Sequence, residues 1–129
     1  MYGGAHVKFT VSVSKDHEPS FLLDQVKLED KFYTLNEKGL CIDVCQSVFK
    51  PAGVLSEIRS SDPLYYKLEQ DLAKSGMDDL ILLNESNRMV ECSRSNIFLI
   101  SGKSVFTPGL SHGCIPGIMR AIILKILAG

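Results

Sequence analysis

Between Val7 and Ser14 the chain alternates: Val7, Phe9, Val11 and Val13 project to one side, and Lys8, Thr10, Ser12 and Ser14 to the other. A repeat of two residues is the period of an extended strand, and no helix can gather those four apolar side chains on one face. The chain is therefore expected to open in a half-buried strand that turns at Lys15-Asp-His-Glu-Pro-Ser. Residues 21–28 and 39–48 read as two further strands, with the turn signal Asn36-Glu-Lys-Gly39 between them. The first third is mainly β.

A helix follows. Asp62 is placed to cap the free amides, and Pro63 suits the first helical position because its missing N–H would be unpaired there anyway. Leu64, Leu68 and Leu72 recur every four residues with Tyr65 beside them, while Lys67, Glu69, Gln70 and Asp71 face outward, and Gly76 ends the segment. That is an amphipathic helix laid on a sheet. Short strands are expected at Asp79–Asn84, 89–93, 96–101 and 104–107, in antiparallel pieces turning at Glu85-Ser-Asn-Arg88 and Gly102-Lys103. Pro108, Gly109 and Gly113 make a loop, and a last helix begins near Pro116-Gly117. The fold class expected is α+β, a mainly antiparallel or mixed sheet with about two packed helices.

Composition bounds the function. With 129 residues, 45% hydrophobic and 22% charged, the chain is a single domain or part of one, and it can bury enough apolar surface to be ordered. A net charge of −1, with no basic stripe interleaved with aromatics, argues against nucleic-acid and acidic-membrane partners. The apolar runs at 80–83 and 121–127 fall short of the ~20 residues that span a bilayer, and Met1-Tyr-Gly-Gly opens no leader. Cys41, Cys45, Cys92 and Cys114 match neither zinc nor thioredoxin-like spacing, and they read as reduced thiols of a cytoplasmic protein. His112 and Cys114 lack a companion ligand pair and read as loop residues, so no metal is expected. The last helix is apolar on most sides, so either its cover is missing from a truncated chain, or Gly129 caps it and it packs on the domain's own sheet.

Two segments carry candidate chemistry. Glu91 and Ser93 share a strand face with Ser95 and Asn96 following, which is either the solvated side of an antiparallel sheet or a ligand-binding cluster. The segment His112-Gly-Cys-Ile-Pro-Gly-Ile-Met-Arg120 leads into a helix whose amides near 117–119 can hold a phosphate, as those of any helix start can.

Taken together, Leu82-Leu-Asn-Glu-Ser-Asn-Arg-Met-Val-Glu-Cys-Ser-Arg-Ser-Asn-Ile-Phe-Leu99, Thr107-Pro and Gly113-Cys-Ile-Pro-Gly-Ile-Met-Arg120 resemble the class IV, fold-type IV pyridoxal-phosphate enzymes. Branched-chain aminotransferases, D-amino-acid aminotransferases and aminodeoxychorismate lyases belong to that family. The resemblance extends upstream through Asn36-Glu-Lys-Gly-Leu and Leu64-Tyr-Tyr, so it covers most of the chain.

It implies a pseudo-barrel-like, cofactor-binding large domain, pyridoxal phosphate as cofactor, amino-group transfer between an amino acid and a 2-oxo acid, and a homodimer. Glu91 matches the carboxylate beside the ring nitrogen, and Ile115 the apolar residue against the ring. Ser95, Asn96, Gly117, Ile118 and Met119 match the phosphate donors, with Met119 where some relatives carry a hydroxyl residue. One position departs from the pattern. Relatives carry the Schiff-base lysine in Leu-Ser-x-x-Lys-Ser-x-x-x-Leu-Tyr-Tyr, and this chain reads Leu55-Ser-Glu-Ile-Arg-Ser-Ser-Asp-Pro-Leu-Tyr-Tyr66, with Arg59 in the lysine's place. Guanidinium stays protonated and is a poor nucleophile, so ordinary transamination is in doubt, and rescue by Lys50 or Lys67 is not expected. The family's smaller N-terminal domain and the chain beyond its last helix have no counterpart here, so residues 1–129 read as an incomplete large domain.

Overall fold

The computed structural model describes residues 5–28, 36–53, 56 and 63–129. It divides into two units, residues 1–37 and 38–129.

The first unit is a hairpin of β1 (Ala5–Val13) and β2 (Pro19–Lys27), paired antiparallel from Ala5↔Lys27 to Val13↔Pro19. Its turn is held by Ser14, whose Oγ accepts the N–H groups of Asp16 and Glu18. Directly paired residues share a face, so Val7, Phe9, Val11 and Val13 lie with Phe21 and Leu23, and Phe9 stacks on Phe21 at 5.8 Å between ring centroids. The alternation is as expected, but the half-buried strand is not. Phe9 is 61% exposed and Val13 67% exposed, because a two-stranded ribbon has no second layer of its own.

The second unit holds the core. β3 (Ile42–Lys50) pairs parallel with β4 (Asp79–Asn84), which pairs antiparallel with β5 (Met89–Cys92). The parallel pairing follows from the intervening α1 (Pro63–Ser75), since parallel neighbours need a crossover of about a dozen residues. β3 starts three residues later and ends two later than the strand expected at 39–48. Residues before Ile42 are instead tied by Asp78, whose Oδ2 accepts the Cys41 N–H at 2.8 Å. Leu68 and Leu72 of α1 bury against Cys45, Leu80 and Leu82, with Val48, Tyr65 and Met77 around them. β4 is central, so its run Leu80-Ile-Leu82 is buried on both faces. α1 ends at Gly76, whose φ of +69° is a left-handed conformation that glycine adopts without strain. The expected cap, Asp62, lies outside the described residues.

After β5 the chain forms the small hairpin β6 (Leu99–Ser101) and β7 (Ser104–Phe106), a 3-10 turn at Leu110–His112, and α2 (Ile118–Leu127). β6 starts three residues later than expected, because the chain folds back there: the Ser95 carbonyl accepts the Cys92 N–H, and Asn96 Nδ2 donates to the Ile115 carbonyl. α2 buries none of its residues, and Ile118, Ile122 and Ile126 are exposed, so in the described structure it does not pack on the sheet. Among the described residues no helix is long and apolar enough to cross a membrane.

Candidate functional site

Glu91 decides between the two readings of the polar strand face. It is 3% exposed and Ser93 5%, so this is not a solvated surface. Ser93 is structural: its N–H and Oγ both donate to Asp79 Oδ1, which also accepts the Leu80 N–H at 2.8 Å.

Both oxygens of Glu91 are engaged. Oε1 pairs with the ammonium of Lys50, which is 2% exposed at the end of β3 and lies 5.9 Å above the Tyr65 ring. Oε2 accepts the Ile115 N–H at 2.8 Å, so the carboxylate joins β5 to the loop that leads into α2. A carboxylate has about four acceptor positions, and these two bonds leave capacity for a further donor.

That loop is shaped by close approaches. Gly113, at φ +103°, sits where a Cβ would lie 2.8 Å from the Pro51 carbonyl, and Asn84 Nδ2 donates to the His112 carbonyl at 3.2 Å. Asn96 Nδ2 donates to the Ile115 carbonyl at 2.8 Å, and its Oδ1 occupies the space that a Cβ on residue 117 would need. Arg120 Nη2 donates to the Pro108 carbonyl at 2.9 Å, and Thr107 Oγ1 to that of Ile97 at 2.8 Å. These bonds fix the start of α2 against the β5 end.

Between these segments lies a cleft of about 200 Å³ lined by Glu91, Cys92, Arg94, Ser95, Asn96, Ile115 and Gly117. Five of the residues singled out from the sequence, Glu91, Ser95, Asn96, Ile115 and Gly117, therefore surround one hollow. Ile118 and Met119 follow as the first two residues of α2, exposed and outside the lining, where the first helical amides have no partner within the helix. Arg59 lies outside the described residues.

Sequence reasoning missed Cys92 and Arg94 in the lining, and Lys50 behind Glu91. Burial, with the nearby Asp79 charge adding to it, pushes the Cys92 thiol up from its ordinary range. Cys114 is buried in the loop, also pushed up by burial, with Sγ set toward the Pro108 and Gly109 carbonyls.

A family model described as amino-transferase class IV matches residues 8–129. An aminodeoxychorismate lyase of Vibrio harveyi is 30% identical over 96 residues, covering 70% of this chain and 34% of that protein. The chain thus spans about a third of that relative's length. A branched-chain aminotransferase of Thermoproteus uzoniensis, solved with norvaline, matches with a TM-score of 0.76 at 19% identity, covering 96% of this chain and 44% of that one. An aminotransferase from Brucella abortus, solved with the cofactor PLP, matches with a TM-score of 0.64 at 21% identity, covering 85% and 39%. At these identities the structures share a fold with this chain, α+β with a mixed sheet and two helices.

Proposed function

The chain belongs to the amino-transferase class IV family, and from that premise we propose that the Glu91 cleft holds pyridoxal phosphate. One observation carries this: a buried carboxylate and the loop opening α2 meet at a single cleft, joined by the Ile115 N–H to Glu91 Oε2 bond. The donor set fits such a ligand. Glu91 offers a carboxylate to a protonated ring nitrogen, Ile115 an apolar wall, and Ser95 and the amides of Ile118 and Met119 hydrogen bonds to a phosphate. Asn96 Nδ2 gives one of its two N–H groups to the Ile115 carbonyl and keeps the other for the phosphate, while its Oδ1 packs where Gly117 has no Cβ.

When bound, the cofactor supplies an electron sink for carbanion chemistry at the amino-acid α-carbon. Glu91 favours the cationic ring on which that sink depends, and the helix-start amides anchor the opposite end. Arg59 stands where relatives carry the attaching lysine, and guanidinium neither bonds to the aldehyde nor shuttles a proton at neutral pH. Among the described residues no lysine lines the cleft. The chain is accordingly read as a large-domain portion of an aminotransferase-like protein, supported by its 34% share of the lyase's length. Intact relatives would transfer an amino group between an amino acid and a 2-oxo acid, as cytoplasmic homodimers. Arg59 favours one second reading, a catalytically inactive relative that keeps the pocket for a phosphorylated ligand or a protein partner, with the guanidinium as anion anchor.

Pyridoxal phosphate absorbance, recorded before and after borohydride and followed by dialysis, tests both. Reversible binding that borohydride does not fix is the expected result. A cofactor fixed to the chain would mean an attaching amine other than residue 59, and no binding at all would overturn the assignment of the cleft. Arg59→Lys, placed in a protein that carries the family's N-terminal domain ahead of these residues, is expected to gain borohydride-fixed cofactor.

A further inference from the structure

Lys50 has no part in that scheme, yet its ammonium is buried, and burying a charge is costly unless it is paired. Among the described residues, its pairing is with the one carboxylate that lines the cleft. The backbone under it is held as well. Lys50 pairs in register with Asn84, whose side chain binds the His112 carbonyl, and the next residue, Pro51, touches the loop at Gly113. The end of β3, β5 and the loop before α2 are thus tied together around Glu91.

We propose that Lys50 is a positioning residue: its buried ammonium, bound to Glu91 Oε1, supplies the counter-charge and the fixed direction that aim the Glu91 carboxylate into the cleft. The Ile115 N–H on Oε2 completes the restraint, since an acceptor held at both oxygens cannot rotate away from its pocket. This rests on Glu91 as partner of the ring nitrogen. Lys50 acts through Glu91, whose hold on the ligand should weaken once the ammonium is gone.

The test compares the affinity of the 129-residue chain for pyridoxal phosphate with that for its 1-deaza analogue, in which carbon replaces the ring nitrogen. A charge-assisted hydrogen bond to that nitrogen should favour pyridoxal phosphate by about tenfold or more. In Lys50→Met the ratio should collapse toward one. A merely structural role would weaken both ligands equally and leave the ratio intact, and a folded Lys50→Met with the wild-type ratio overturns the proposal for Lys50 alone. A ratio near one in the wild type, or no binding of either compound, overturns Glu91 as ring partner and Lys50's role with it. Should Lys50→Met fail to fold, Lys50→Met/Glu91→Gln decides. A folded double variant supports Lys50 as counter-charge, and an unfolded one assigns Lys50 to packing and overturns the proposal.

Discussion

Gly117 shows how tightly single atoms define the cleft. A methyl group there would collide with Asn96 Oδ1, and that amide cannot swing aside without giving up the Ile115 carbonyl. Gly117→Ala is expected to cost about 1–3 kcal/mol, the range for overpacking, seen as a lower midpoint in urea unfolding. Adding Asn96→Ala should return part of the loss, since the two sites share one contact. Glu91→Gln leaves the Lys50 ammonium buried without its counter-charge, and should cost roughly 3–5 kcal/mol by the same measurement. A change under about 1 kcal/mol would mean that the pair is hydrated and the knot around Glu91 is loose. Of these residues, Glu91, Asn96 and Gly117 were named from the sequence, where type and spacing left their roles open and the family resemblance supplied them. Lys50 was not named for this place, although it shares even parity with the half-buried Val44 and Val48. A register irregularity between Val44 and Phe49 lets Cys45 bury as well, and no local pattern announces that shift.

The helix α1 is the element best foretold by sequence, and it carries the core. Leu68 is 1% exposed against Leu80 and Leu82, so Leu68→Ala should cost about 2–5 kcal/mol in denaturant unfolding. Its outer side is tied to β3: Lys67 Nζ and Ser47 Oγ both donate to Asp71. These bonds hold the Asp71 carboxyl below its ordinary value of 3.8. A depressed carboxyl stabilises the fold above the ordinary carboxylate range, and that contribution is lost as pH falls through the depressed value. Thermal midpoints measured from pH 6 down to pH 2.5 should therefore fall more steeply in the wild type than in Asp71→Asn, and parallel curves would exclude the link. What spacing did not foretell here was pairing. The strands around α1 were each recognisable, but the parallel partnership of β3 with β4 depends on where α1 returns the chain.

Across the whole molecule, buried thiols and open apolar surfaces are the features an experiment reads most directly. Cys41 is exposed, whereas Cys45, Cys92 and Cys114 are buried, and burial raises the last two thiols of the cleft and its loop. Iodoacetamide at neutral pH should add one group to the native chain and four after unfolding, counted by intact mass. Rapid labelling of Cys92 in the native chain would contradict its burial. The apolar face of β1 and β2 and the exposed side of α2 each leave several large side chains in solvent, on a scale that ordinarily marks contact surfaces.

Periodicity and punctuation alone specified most elements, because strand and helix repeats, a proline at a helix start and a glycine at its end act over a few residues. The residues proposed for a ring nitrogen and a phosphate were named along the chain as well, through the family resemblance and not through their spacing. Burial was decided only in three dimensions: the ribbon that alternates like a half-buried strand is exposed, and the strand face that the pattern left open between solvent and a ligand closes over Glu91. Whether a side chain is covered depends on layers contributed from far along the chain, and a lysine forty-one positions away completes the site for that reason.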